Sequence, residues 1–103
     1  DDAFIGLDDT FVLDKKVENK AAVITSSITG ITMEVFTNQP AMVVFIPNKF
    51  PELPFKDGAE YSKFSAICFE TQNFPDAPNI SHFPNSLLKP NEEYLNETVF
   101  KFL

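Results

Sequence analysis

The sequence predicts an all-β, antiparallel fold, and three observations carry that prediction. Short runs rich in β-branched and aromatic residues recur along the chain, each bounded by Gly, Pro, Asn or Asp, which is the signature of strands joined by turns. No helical period, heptad, internal repeat or low-complexity tract interrupts them. The composition is 44% hydrophobic with 12 Phe and no Trp, a packed aromatic interior and the opposite of the aromatic-poor composition of disorder.

The elements follow in chain order. A first strand is expected over Thr10 to Asp14, with Asp8 and Asp9 as turn carboxylates at its start. Ala21 to Ser27 and Ile31 to Thr37 form a hairpin across Thr29-Gly30, where Gly supplies the positive φ of a tight connection. Met42 to Ile46 is a continuous apolar run and a fourth strand. From Pro47 to Tyr61, three prolines and a Gly among charges mark a surface loop. Ser62 to Glu70 reads as the fifth strand. Between Phe74 and Asn91, Pro75, Pro78, Pro84 and Pro90 exclude a central strand, because proline donates no ladder hydrogen bond. Lys89-Pro90-Asn91-Glu92 has the form of a type II turn, with Asn at the left-handed position, and Thr98 to Phe102 is the last strand. At 103 residues the chain is expected to be a single domain or the C-terminal fragment of a larger one.

Charge narrows the ligand. A net charge of −7, with 8 Lys and Arg together against 15 carboxylates, all eight of them Lys, offers neither the basic stripe that binds nucleic acid nor the forked guanidinium that clamps phosphate. A neutral small molecule fits better. No apolar run approaches membrane-spanning length, and the acidic start Asp1-Asp2-Ala3 is unlike a signal peptide. The lone Cys68 allows no intrachain disulfide, so a cytoplasmic location is expected, with Cys68 packed in the core. The Asn79-Ile80-Ser81 and Asn96-Glu97-Thr98 triplets match glycosylation acceptors, a pattern that arises often by chance.

Strand alternation places Phe64, Ala66, Cys68 and Glu70 on one face and Ser65, Ile67, Phe69 and Thr71 on the other. Glu70 therefore shares its face with small side chains that leave space in front of its carboxylate. By pattern alone a Glu at a strand end is usually a solvated surface residue. The chain carries no paired Cys/His spacing for zinc, no EF-hand loop, no phosphate-cradling Gly motif and no recognisable hydrolase triad. No metal is expected.

The run Phe69-Glu70-Thr71-Gln72-Asn73-Phe74-Pro75-Asp76-Ala77-Pro78-Asn79, followed by Phe83-Pro84 and Leu87-Leu88-Lys89-Pro90-Asn91-Glu92-Glu93-Tyr94, resembles the C-terminal signature of the aldose 1-epimerase (mutarotase) family. Gly6-Leu7-Asp8-Asp9-Thr10-Phe11-Val12-Leu13 resembles the family's Asp-containing segment, and Met33-Glu34-Val35-Phe36-Thr37-Asn38-Gln39-Pro40 a further strand and turn, so the likeness covers nearly the whole chain. It implies the C-terminal part of a twisted antiparallel β-sandwich, the supersandwich of the galactose-mutarotase type. It also implies an isomerase that interconverts the α and β anomers of a hexose without a cofactor. Glu70 then matches the base that takes the proton from the anomeric hydroxyl, and Asp8 the carboxylate that holds a sugar hydroxyl, both facing a polar cleft.

Two departures stand out. Val43 falls where many relatives carry a Gln directed at the sugar, and Pro47 precedes Asn48 where they carry Gly. The general acid of the family, a His, and a second sugar-contacting His belong to an N-terminal part that this sequence lacks, and His82 matches neither. The expected partners are therefore a hexose and the N-terminal part of the protein, or a separate chain, completing the sandwich. The rival reading is a mutarotase-like sugar-binding domain that performs no chemistry.

Overall fold

The computed structural model describes residues 3–14, 19–49 and 63–103. Among these residues the regular elements are six strands and one short 3₁₀ helix: β1 (Leu7–Val12), β2 (Lys20–Thr25), β3 (Thr32–Thr37), β4 (Ala41–Ile46), β5 (Cys68–Gln72), the 3₁₀ turn Ala77–Asn79 and β6 (Thr98–Phe102). The strands form two three-stranded sheets, ordered β1-β4-β5 and β2-β3-β6, and each neighbouring pair is antiparallel. The all-β prediction holds.

The hairpin forms where the turn chemistry places it. Gly30 adopts φ +75°, its amide donates to the Ser26 carbonyl at 2.9 Å, and the Ser26 amide donates to Ile31 at 2.9 Å. The turn after the long proline-rich segment is also as expected: Asn91 has φ +68°, and the Glu92 amide donates to the Lys89 carbonyl at 3.1 Å.

Two strand starts differ from expectation by three residues or more, and several other limits by one or two. The first strand begins at Leu7, so Asp8 and Asp9 lie within the ladder rather than in a turn before it. The pairing partners explain this, because β4 is long enough to take Leu7 opposite Ile46 and Asp8 opposite Phe45. The fifth strand starts only at Cys68. Phe64 breaks the extended path upstream with φ +60°, and its amide donates to the Pro47 carbonyl at 3.3 Å. Of the loop expected from Pro47 to Tyr61, only Pro47 to Lys49 lie among the described residues.

The sheets meet through Val35, Met42 and Val44, which are buried, with Leu7, Leu13, Ala21, Ala22, Met33, Ile67 and Phe69 packed around them. A polar seam runs beside this core, where the hydroxyl of Thr98 on β6 meets those of Thr37 on β3 and Thr71 on β5. The Asn38-Gln39 turn between β3 and β4 is tied to the segment before β6. Tyr94 Oη donates to Gln39 Oε1 at 3.0 Å, the Asn38 and Gln39 amides donate to the Leu95 carbonyl, and the Glu97 amide donates to Asn38 Oδ1 at 3.0 Å.

Away from that junction large apolar side chains on the inner faces are partly exposed. Phe100 and Phe102 lie opposite Val35 and Met33 in the ladder, yet are 47% and 67% exposed, and Phe11 is 47% exposed. A cavity of about 490 Å³ lies in the same inter-sheet space and is lined by Phe11, Leu13, Ala22, Met42, Val44 and Phe69 among others. Its walls are the core face of the β1-β4-β5 sheet, so it is a gap between layers.

Candidate functional site

Cross-strand register decides which side chains share a face, because residues directly opposite in an antiparallel ladder project to the same side. Asp8 pairs with Phe45, and Phe45 pairs with Cys68. One step along, Thr10 pairs with Val43, and Val43 with Glu70. Asp8, Thr10, Val43, Phe45, Cys68 and Glu70 therefore occupy one face of the sheet. Leu7, Met42, Val44 and Phe69 occupy the other and pack into the core.

The expected grouping of Cys68 with Glu70, opposite Phe69, is observed. Cys68 itself is exposed, which corrects the expectation that it packs in the core. The physical reason is the alternation: Phe69 on β5, with Ile67 just before the strand, packs against the core, and Cys68 points away from it with Glu70.

Asp8 and Glu70 are both exposed. They stand two strands and two residues apart, which at standard strand spacing and rise separates their Cα atoms by about 12 Å. Val43 and Phe45, both half-buried, form the strip of sheet between them. At the Asp8 end this face runs into a depression of about 320 Å³ lined by Ile5, Gly6, Asp8, Phe45, Pro47, Asn48 and Lys49 among others.

The entry to β1 is pinned at that depression. Asn48 Nδ2 donates to the Ile5 carbonyl at 2.7 Å. Gly6 adopts φ +103°, and a Cβ there would lie 2.6 Å from the Ile46 carbonyl oxygen, a clash that only glycine avoids. The position of Asp8, two residues on, depends on these contacts.

Downstream of Glu70 the chain folds into a series of short turns. The Ala77 amide donates to Phe74 O at 3.2 Å, and the Asn79 amide to Asp76 O at 3.0 Å. Asp76 takes φ +58°, Asn79 Nδ2 donates to its carboxylate, and Ala77 is buried. These residues of the sequence signature hold the chain's path rather than offering reactive groups. Ring contacts extend the same packing, with Phe74 edge-on to Phe83 at 5.0 Å and the exposed His82 edge-on to Phe83 at 4.8 Å.

Sequence reasoning missed Phe45, Gly6 and Asn48. Phe45 was hidden in a run that is apolar on both faces. Only the pairing of β1 with β4 reveals the contacts of Gly6 and Asn48.

Among the described residues, the one ionisable group clearly shifted from its ordinary value is outside this face. On the β2-β3-β6 sheet, Glu34 accepts from Lys20 Nζ at 2.6 Å and faces Lys101 Nζ at 3.8 Å. The hydrogen bond from Lys20 holds its carboxyl below the usual Glu range, and the charges of Lys20 and Lys101 act in the same direction against partial desolvation. Among the described residues, no group of three or more His, Cys, Asp or Glu is placed to hold a metal ion, and no helix is long and apolar enough to cross a membrane.

Comparison with known proteins places this geometry in a family. The chain is 41% identical over 99 residues to the galactose mutarotase of Mus musculus and 42% identical over 99 residues to that of Bos taurus. Each match covers 94% of this chain and 29% of the relative. It is 33% identical over 99 residues to the aldose 1-epimerase of Haemophilus influenzae, again covering 94% of this chain and 29% of that protein. The chain thus spans about three-tenths of the length of the curated relatives it matches. The family model described as aldose 1-epimerase matches residues 2–101, and the chain, an all-β portion of that family's antiparallel sandwich, belongs to the aldose 1-epimerase family.

Proposed function

We propose that this chain supplies the general base and a hydroxyl-binding carboxylate of an enzyme that interconverts the α and β anomers of a hexose of the glucose or galactose type. The observation that carries the reading is the placement of Glu70 and Asp8 on one exposed sheet face, two strands apart. That spacing suits one monosaccharide touching both carboxylates. Family membership supplies the reaction class.

In this reading the Glu70 carboxylate accepts the proton of the anomeric hydroxyl as the C1–O1 bond becomes a carbonyl. The bond from C1 to the ring oxygen breaks, and that oxygen takes a proton from a general acid. Rotation about C1–C2 presents the other face of the aldehyde, and the reverse proton transfers close the ring. Asp8 accepts a hydrogen bond from a hydroxyl remote from C1 and fixes the ring over the sheet. The reaction balances without oxidant or cofactor, since every proton taken is returned.

The acid comes from outside this chain. The only histidine, His82, is exposed beside Phe83, in the long proline-rich segment. The partly exposed inner-face side chains of Phe11, Phe100 and Phe102 favour a further part of the sandwich, in the same polypeptide or a separate one, that packs on them and brings the acid. One unpaired thiol suits a cytoplasmic setting.

The deciding experiment follows the optical rotation of freshly dissolved α-glucose and α-galactose with the complete protein. Acceleration over buffer supports the enzyme. Tight sugar binding without acceleration would instead identify a binding domain that has kept the carboxylates and lost the chemistry.

A further inference from the structure

The face that carries Asp8 and Glu70 also carries an aromatic ring that the core does not account for. Phe45 alternates with Met42 and Val44, which are buried in the sheet junction, and so projects to the opposite side. There it stands between Asp8 on β1 and Cys68 on β5, with Glu70 two residues further along β5. Phe45 and Asp8 line the same depression of about 320 Å³. A strand with one packed face ordinarily directs its largest apolar residue into that face, because leaving it out forgoes apolar burial. Here the large ring is set among a carboxylate, a thiol and a single threonine, Thr10.

A hexose suits such a ring. Its hydroxyls radiate from the ring edge, while its axial C–H bonds form apolar patches on the two ring faces. The face of a Phe ring carries the negative part of its quadrupole, which attracts the weakly positive hydrogens of those patches, and stacking removes apolar surface of both partners from water. Carboxylates on either side of the ring would take the hydroxyls at the sugar's edge.

We infer that Phe45 is the platform on which the pyranose ring stacks, setting its orientation between Asp8 and Glu70. This rests on the sugar site proposed above. The contact is made to the ring face, which keeps its C–H bonds through most of the reaction, so the platform binds substrate and transition state about equally. Such a contact acts on KM and leaves kcat nearly unchanged.

The test compares the complete protein with its F45L, F45M and F45W variants. Binding of a methyl galactoside, which cannot open its ring, is measured by calorimetry, and KM and kcat for galactose by polarimetry. F45L is expected to raise both Kd and KM about tenfold with kcat held within about twofold, and F45W to bind as well as the parent. If F45L fails to fold, F45M, which keeps side-chain volume without a π face, carries the same expectation. A Kd and KM unchanged in F45L or F45M would overturn the platform, as would a parent protein that binds neither galactose nor its glycoside. Weakened glycoside binding in F45L alongside a parent that does not accelerate anomer exchange would uphold the platform and sink the catalytic reading alone.

Discussion

Val43 and Glu70 stand directly opposite each other in the β4-β5 ladder, with both side chains on the face that also carries Asp8. The side chain nearest the proposed base across the ladder is therefore an apolar, half-buried valine. It can neither donate to nor accept from a sugar hydroxyl.

That relationship makes Val43→Gln an informative change. An amide at this position adds a donor and an acceptor beside Glu70, and hydrogen bonding to a substrate hydroxyl discriminates between epimers far better than apolar contact does. V43Q in the complete protein is expected to change the ratio of kcat/KM for glucose and galactose by about tenfold, or about 1.4 kcal/mol. Polarimetry with the two α-anomers measures the ratio, and an unchanged ratio would show that this strip of sheet is not in contact with the sugar.

Glu70→Gln keeps the shape of the side chain and removes its basicity. Because Glu70 is exposed, the variant should fold as the parent does, and kcat should fall about 10²- to 10⁴-fold with little change in KM. Asp8→Asn should show the opposite emphasis, raising KM about tenfold or more through loss of a charged hydrogen bond. If E70Q retains full kcat, the base lies elsewhere.

Gly6 and Gly30, both of positive φ, should respond differently to alanine. Gly30 has φ +75° with open space where a Cβ would go, whereas at Gly6, with φ +103°, the Cβ would meet the Ile46 carbonyl at 2.6 Å. G30A is expected to cost about 1 kcal/mol, the left-handed penalty alone. G6A should cost about 2–4 kcal/mol and raise KM through displacement of Asp8. Urea unfolding of the complete protein gives both values, and equal losses would mean that the backbone at Gly6 moves away from Ile46 freely.

Acid stability should depend on Glu34. Its folded pKa lies below the ordinary value of 4.5, first because of the hydrogen bond from Lys20. Below that value the unfolded chain takes up the proton before the folded one does, so unfolding binds protons and stability falls with pH. The contribution is fully present above the unfolded pKa and is lost as pH descends through the folded one. E34Q should flatten this part of the acid limb, read from denaturant midpoints between about pH 3 and about pH 6. An acid limb that E34Q leaves unaltered would assign it to other carboxylates.

The 103-residue polypeptide in isolation should lack a cooperative unfolding transition. Among the described residues its sheets end in β1 and β5 and in β2 and β6, and edge strands invite further pairing. Phe100, Phe102 and Leu103 are 47%, 67% and 64% exposed, a patch that seeks cover. Binding of a hydrophobic dye with no sharp melting transition is the expected outcome, and a cooperative transition in the isolated polypeptide would contradict it.

Local chemistry was enough to read much of this fold. Thr98–Phe102 and the β2-β3 hairpin follow from alternation and from Gly30, and the Lys89–Glu92 turn follows from Pro90 and Asn91, because each depends on residues adjacent in sequence. The grouping of Glu70 with Cys68 was equally local, being a matter of strand period.

Other features depended on partners distant in the chain. The ladder with β4 drew Asp8 and Asp9 into β1, and the left-handed Phe64 set the start of β5. Cys68 read as a core residue because burial depends on which face meets the other sheet, and period alone does not say which. The sequence by itself thus determined the all-β class and the family signature around Glu70. Only the tertiary structure decided that Asp8, Phe45, Val43 and Glu70 lie on one face, because cross-strand register is set by long-range pairing that no local pattern encodes.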